Sequence, residues 1–423
     1  MTNGEIDRLG VRIGQCNNIA AEDLNSLQEF RKTFQRPLAE VFGFVTTTAR
    51  RLDKGCIVTY RIKRIDTIIE KLKRFFKNEK GDMKLSRMWD IAGCRCIFPS
   101  SDEKHLYTLL DKIKEEYGSD CKFHDYVKNP RETGYRSIHI YVKDKLTGKP
   151  VEIQIRNYRQ HNWSTLVEIL DVLYGKSIKE GKEKGELEEF MRYYSNTSNL
   201  TLDEFQRLLS IGDKYRIFER MSSTLTKNYL NIKCQWLQQP KPGSYFVIEA
   251  NKDGSNIQSF CTFDDAENEY YDKYVNCRDS NIVLTHIPNA TFDQISMAYS
   301  NYVLAMHAFF NDYRSLVENL IIISARNNKF LLFRRCFRIY HRNLKSHFKN
   351  LSIEADNIAG CIQNKRISRS QVQKWINEMK HRINNWAEET SSFWQKLQYE
   401  NKNKFYYRMI IKYEIKHLEK DMK

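Results

Sequence analysis

Ten cysteines are scattered through 423 residues, yet no CxxC pairs recur at the spacing of a structural zinc site. The closest pair, Cys94 and Cys96, is split by one arginine. A structural metal is therefore not expected, and such usage suits a reducing cytosol. The N-terminus, MTNGEIDRLGVRIGQ, has no apolar core of signal-peptide length. The most apolar helical region, 301–325, is interrupted by Arg314 and Glu318, so no run of about 20 uncharged residues is left to span a membrane. Internal repeats are absent too. These absences predict a soluble, cytoplasmic chain without a transmembrane segment.

Apolar residues and charge of one sign are plentiful. The length predicts two or three domains, and 41% apolar with 13% aromatic residues is ample for real cores. A formal charge of +16 and a pI near 9.2 point to polyanionic partners: nucleotides, nucleic acid or anionic lipid. The excess sits at one end. From Asn327 to Lys423 there are 21 Lys and Arg against 9 Asp and Glu, a net of +12.

Residues 20–85 read as helical, with a basic helix in RIKRIDTIIEKLKRFFK. From Trp89 the texture alternates: AGCRCIF as a strand, HLYTLLDKIKEEY as a helix, DYV and SIHIYV as short strands. DKLTGKP then turns into the strand VEIQIRN, and QHNWSTLVEILDVLYG closes the unit as a helix. The charged run KSIKEGKEKGELEE reads as a linker or solvated helix. Beyond it, YFVIEA and IQSFCTF form a hairpin, DDAENEYYDKYV a helix, NIVLTHI a strand, and FDQISMAYSNYVLAMHAFFNDYRSLVENLIII one long apolar helix, straight or bent. The remainder reads as two or three basic helices. The expected domains are 1–198, 199–326 (a small α+β regulatory or interaction domain) and 327–423 (a basic helical tail).

Four clusters carry candidate chemistry. Arg61, Lys63 and Arg64 open a predicted helix, where cations oppose the macrodipole unless an anion lies there; a solvated basic face is the alternative. Asp90 stands at the mouth of an apolar strand, either as a turn former or as a magnesium ligand beside phosphates. In RETGYRSIH, Gly134 permits a turn that presents Tyr135 outward for stacking on a base, unless that ring is plain surface. His139 alternates with Ser137 on one strand face. Finally, Glu152, Gln154 and Arg156 share one face of a strand, either as solvated surface or as a polar cleft.

In series, RIKRIDTIIEKL, DIAGCRCIF, DYVKNPRETGYRSIH and VEIQIRNYRQHNW resemble the synthetase domain of the RelA/SpoT family, the (p)ppGpp synthetases. The resemblance covers about Arg61 to Tyr174. It implies an α+β fold, with a nucleotidyltransferase-like mixed β-sheet flanked by helices. The implied reaction moves the β,γ-pyrophosphate of ATP to the 3′-hydroxyl of GDP or GTP, releases AMP and uses Mg2+. It assigns Arg61, Lys63, Arg64, Lys71 and Arg95 to ATP and its phosphates, and Asp90 and Glu152 to the metal and catalysis. It assigns Tyr135, Arg131, His139, Gln154 and Arg156 to the acceptor nucleotide. Arg131 takes a place usually held by lysine. Nothing upstream of Arg61 supplies the His and His-Asp motifs of the family's hydrolase domain, so product degradation by this chain is not expected. Lys122 to Asp125 look like the basic version of a segment linked to GDP preference. The helix after Trp163 lacks the family's acidic-histidine pair, of which Glu168 is the candidate remnant.

Two alternatives remain at this stage. A toxic or defence-associated member would pyrophosphorylate the tRNA 3′ end or an adenine nucleotide, and the basic, aromatic-rich tail would fit RNA. A catalytically silent nucleotide sensor is the other. A homo-oligomer or a regulatory protein partner is also open.

Overall fold

The computed structural model describes residues 1–77, 84–100, 102–175, 185–197, 199–239, 243–251, 254–276, 281–303, 307–364 and 367–421. The charged run expected as a linker falls largely outside these residues.

Three helices come first: α1 (Asn3–Gln15), α2 (Ala21–Lys32) and α3 (Gln35–Leu52). α3 buries Leu38, Val41, Phe42, Val45 and Ala49, the i, i+3, i+4, i+7 stripe that seats a helix on a core. The first departure from expectation comes next. IVTYRI is not helical but forms β1 (Ile57–Ile62), so Arg61 lies on a strand and only Lys63 and Arg64 precede α4 (Ile65–Lys77). The β-branched, alternating character of these six residues outweighs the helical pattern that follows them. Then come β2 (Ala92–Phe98), α5 (Lys104–Tyr117), β3 (Lys122–Asp125), β4 (Ile138–Lys143), β5 (Pro150–Asn157) and α6 (Tyr158–Tyr174). Further on are α7 (Glu186–Tyr194), α8 (Leu202–Lys214), α9 (Ile217–Gln238), β6 (Tyr245–Asn251), β7 (Gly254–Phe260), α10 (Phe263–Asn276) and β8 (Asn281–His286).

The expected long helix is instead α11 (Phe292–Ala298), α12 (Ser300–Val303) and α13 (His307–Arg326). The break after α11 falls at Tyr299, whose φ of −128° and ψ of 38° are not helical. α14 (Phe330–Gln363), α15 (Arg369–Glu400) and α16 (Phe405–Asp421) complete the chain. Among the described residues, no helix is long and apolar enough to cross a membrane.

The eight strands among the described residues form one mixed sheet in the order β3-β4-β5-β2-β1-β8-β6-β7. β2 and β5 run parallel and the other pairs antiparallel. The hairpin and strand expected to build a separate small domain therefore extend the first sheet, through β1–β8 pairing at Tyr60–His286 and Arg61–Thr285. Two compact units result, and they interleave in sequence rather than following the three consecutive segments expected. One comprises 1–165 with 241–303; the other comprises 166–240 with 304–423.

In the first unit each central strand alternates. Val58, Tyr60 and Ile62, then Cys94, Cys96 and Phe98, then Ile153 and Ile155 are buried in the core. Thr59, Arg61, Arg95, Glu152 and Gln154 take the other face. A fully buried ion pair, Arg31 with Glu267 at 2.6 Å, joins α2 to α10. Arg31 also donates to the Lys63 carbonyl (2.9 Å), and the Tyr270 hydroxyl accepts from the Ile65 backbone N–H (3.0 Å) at the start of α4. The second unit is helical, with Phe218, Tyr313, Phe333, Phe337, Tyr340 and Trp394 in its aromatic core.

Candidate active site

Two neighbouring rungs of the sheet lay out a cleft. Along one, Thr59 of β1, Arg95 of β2, Gln154 of β5 and His139 of β4 stand side by side in register. Along the next stand Thr285 of β8, Arg61, Gly93, Glu152 and Tyr141. Because alternate residues share a face, these two-residue steps gather polar groups from five strands on one surface. A cleft of about 190 Å³ lies over them, lined by Thr59, Arg61, Lys63, Asp90, Gly93, Cys94, Arg95, His139, Glu152, Gln154 and Tyr299. Glycine at 93 matters, because a Cβ there would lie 3.2 Å from the Glu152 carbonyl oxygen and fill the floor between Arg61 and Glu152.

Asp90 sits two residues ahead of β2, with one carboxylate oxygen on Lys63 Nζ and the other on Lys71 Nζ, each at 2.8 Å. Burial pushes its carboxyl up, but the two ammonium groups outweigh burial and hold it at about 2. Burial lowers Lys63, and neighbouring Lys71 and Arg61 lower it further, against the raising effect of Asp90. Cations thus crowd a single carboxylate. A polyanion entering the cleft would relieve their mutual repulsion.

The other end is a closed circuit of side chains. His139 Nδ1 donates to Glu152 Oε1 (2.8 Å), and Gln154 Nε2 donates to Glu152 Oε2 (3.2 Å). Arg156 donates to Gln154 Oε1 (3.1 Å) and to the Tyr135 hydroxyl (2.7 Å), which lies 2.6 Å from His139 Nε2. Every donor meets an acceptor when Tyr135 donates to Nε2 and His139 carries its proton on Nδ1. Burial raises Glu152, yet the His139 bond leaves its carboxyl below the usual range. Burial likewise raises Tyr135, but Arg156 and His139 bring its phenol down to about 7.

Asp90, Lys63, Lys71, Arg61, Arg95, His139, Glu152 and Gln154 are thus brought together, with Arg156 and Tyr135 directly behind them. Tyr135 differs from its expected pose. Gly134 does adopt a positive φ of 90°, but the ring is half-buried, edge-on to Trp163 and His139, not turned outward. Arg131 is exposed and lies over the Tyr126 and Tyr135 rings at 4.5 and 5.5 Å. Arg64 is not among the cleft-lining residues. It bonds Asp66, Asn281 and Tyr302 instead.

Residues 60–177 match the region found in RelA and SpoT proteins. The chain is 33% identical over 124 residues to an uncharacterized protein of Mycobacterium tuberculosis, covering 29% of this chain and 42% of that one. It is 36% identical over 87 residues to the GTP pyrophosphokinase of Haemophilus influenzae, covering 20% and 11%. It is 29% identical over 129 residues to the GTP pyrophosphokinase YjbM of Bacillus subtilis, covering 29% and 59%. The aligned stretches span less than two thirds of each relative. Among solved structures, the small alarmone synthetase 1 of Bacillus subtilis bound to pppGpp matches at 22% identity and a TM-score of 0.34, covering 45% of this chain and 97% of that one.

The RelA/SpoT region holds every cleft residue except Thr59 and Tyr299. Thr59 lies one residue ahead of it, and alternation with Arg61 along a strand would have revealed it had β1 been recognised. No local pattern could have revealed Tyr299, which arrives from a segment more than a hundred residues further on.

Proposed function

We propose that this chain is an ATP-dependent pyrophosphokinase that transfers the β,γ-pyrophosphate of ATP to the 3′-hydroxyl of GDP or GTP. One observation carries the reading: a carboxylate ringed by cations just ahead of β2 and a second carboxylate oriented by histidine on the neighbouring β5 face the same cleft within the stretch that matches RelA and SpoT proteins. Phosphoryl-type transfer asks the protein for charge neutralisation and alignment more than for covalent chemistry. Arg61, Lys63 and Lys71 supply the positive field for a triphosphate.

Asp90 and Glu152 suit a magnesium ion, which characteristically uses one or two carboxylates together with substrate phosphates. Asp90 is ionised at every physiological pH, and among the described residues no third acidic, His or Cys ligand joins them. A bound Mg2+ would neutralise charge on the transferred group. Glu152 is the base. A ribose hydroxyl is a weak nucleophile near pH 7, and a carboxylate within hydrogen-bond reach removes its proton as attack proceeds. His139 fixes the orientation of that carboxylate, and the Gln154–Arg156 side of the circuit fixes His139 through Tyr135. Tyr135, half-buried behind the cleft with Arg156 and Arg131 against its ring, serves the acceptor end by holding His139.

The test is incubation of the full chain with Mg2+, ATP labelled in its γ-phosphate, and GDP, GTP, ATP or tRNA in separate reactions. Label appearing in GDP or GTP, with AMP released, is the expected result. Label in tRNA alone, or in a 3′-pyrophosphorylated ATP alone, would replace the acceptor with that of the toxic branch. Nucleotide binding without transfer to any acceptor would turn the reading to a silent sensor.

A further inference from the structure

Two thiols meet in the helical unit, outside the stretch that matches RelA and SpoT proteins. Cys234 lies near the end of α9 and Cys361 near the end of α14, 127 residues further on, yet their Sγ atoms are 3.0 Å apart. Both are reduced, one thiol donating to the other. The separation exceeds a disulfide bond of about 2.05 Å by roughly 1 Å, a gap that small side-chain rotations close.

The register that brings them together is held from several sides. Lys233, the residue before Cys234, places its ammonium on Glu378 of α15 at 2.8 Å and over the Trp375 ring at 5.1 Å. One turn on, the Leu237 carbonyl accepts from Gln371, at the start of α15. On α14, Glu354, Ile358 and Cys361 are buried at i, i+4, i+7 spacing, one stripe facing the core. Glu354 accepts from Trp375 Nε1 at 2.7 Å and from Arg382 at 2.6 Å. Both helices are thus fixed in rotation by contacts other than the thiols, and the sulfur pair follows from that packing.

The two sulfurs differ in access. Cys234 is half-buried, whereas Cys361 is 4% exposed. An oxidant from solvent meets Cys234 first, with Cys361 behind it as the resolving thiol. Elsewhere, burial pushes the Cys56 and Cys336 thiols up to about 12, which makes them poor nucleophiles.

We infer that Cys234 and Cys361 are a peroxide-responsive pair that closes reversibly into a disulfide and staples α9 to α14. With hydrogen peroxide, the Cys234 sulfur attacks the O–O bond. An S–O bond forms, the O–O bond breaks, and one water leaves with the thiol proton. The Cys361 sulfur then attacks Cys234: the S–S bond forms, the S–O bond breaks, and a second water takes the remaining proton. Two thiols give up two electrons and two protons, and the peroxide departs as two waters. A reducing thiol reverses the bond by exchange. Transient, redox-sensing disulfides are the kind that a reducing compartment allows, so the pair agrees with the cysteine usage of the whole chain. The bond closes a loop of more than a hundred residues, and a cross-link of that span restricts the unfolded chain. Oxidation is then a stabilising switch on the helical unit, independent of the reaction assigned to the cleft.

The experiment treats the full-length chain and its Cys234→Ser and Cys361→Ala variants with a small excess of hydrogen peroxide. Digests made without reductant are read by mass spectrometry. Thermal midpoints are compared before oxidation, after it, and after a phosphine reductant is added. In the parent, a peptide cross-linked between Cys234 and Cys361 is expected as the main product. Its midpoint should rise by about 5 °C or more, and reductant should undo both changes. Neither variant should show them. Oxidation confined to the exposed Cys16 and Cys261, with 234 and 361 unlinked, would overturn the pair. A linked chain whose midpoint stays level or falls would overturn the staple. Should Cys361→Ala fail to fold, Cys234→Ser at the more accessible position decides alone: loss of the midpoint shift supports the pair, and a retained shift overturns it.

Discussion

At the scale of single residues, the site divides its labour between two carboxylates with different neighbours. Asp90 is held ionised by two ammonium groups, whereas Glu152 is held by His139, an imidazole that burial lowers but that its bonds to Glu152 and Tyr135 raise, so Glu152 is bonded to one titratable partner where Asp90 is pinned between two permanent cations. Glu152→Gln keeps the shape and one of the two accepted hydrogen bonds but cannot take a proton. Transfer should fall by about 10²–10⁴-fold, the usual contribution of a positioned base, while ATP affinity by calorimetry stays within a few-fold; near-parental turnover would remove Glu152 from the mechanism. Gly93→Ala tests the floor. Its methyl group would press on the Glu152 backbone and narrow the gap to Arg61, so a loss of about ten-fold or more in kcat/KM is expected from misplacement alone. Full activity in that variant would show that the migrating group does not pass over Gly93.

Among the secondary-structure elements, the decisive contacts are long-range. α4 is started by groups from elsewhere: Arg31 on the Lys63 carbonyl and Tyr270 on the Ile65 N–H. Arg31 in turn needs Glu267, and neither side chain reaches solvent. Glu267→Ala leaves an uncompensated buried guanidinium, expected to cost roughly 3–5 kcal/mol; urea denaturation giving less than 1 kcal/mol would show that the pair relaxes into solvent. Tyr270→Phe removes one acceptor and should cost about 1–3 kcal/mol on the same assay. These contacts also explain what the sequence could and could not disclose. The alternating polar face of Glu152, Gln154 and Arg156 was readable because a strand's two-residue period is local. So were β2, α5, β4 and the three tail helices. β1 was hidden because the basic run RIKR continues into an amphipathic helix and masks the strand before it. The joining of β8 to β1 across 225 residues leaves no local signal, since hairpin and helix read the same whether they build their own domain or lengthen another sheet. Tyr299 was hidden for the same reason, inside what reads as one apolar helix.

For the whole molecule, each unit carries a half-buried histidine that contributes to its response to acid. Burial holds His286, stacked on Tyr60 at 4.7 Å, down at about 4, and His347 of the helical unit is brought by burial to about 4 as well. A folded value below the ordinary 6.5 means that the unfolded chain binds the extra proton first. The stability is therefore complete above about pH 6.5 and drains away as pH falls towards 4. Thermal midpoints should decline across that window, and His286→Phe, which keeps a stacked ring without the proton site, should flatten part of the decline; an unchanged slope would assign the acid response to other groups. The same view of the molecule bears on how the chain can be cut. A fragment ending at residue 198 contains the whole RelA/SpoT region and would be the natural choice from sequence. It would nonetheless lack β8, which pairs with β1 at Tyr60 and at the cleft residue Arg61, Glu267, which neutralises Arg31, and Tyr299 itself. β1 would become a sheet edge with open backbone groups, and a fully buried charge would stand alone. Residues 1–198 are expected to unfold without a cooperative transition and to bind no ATP, whereas the full chain is expected to melt cooperatively and to bind ATP. A soluble 1–198 fragment with a sharp melt and parental ATP affinity would show that the later strands decorate the sheet without completing it.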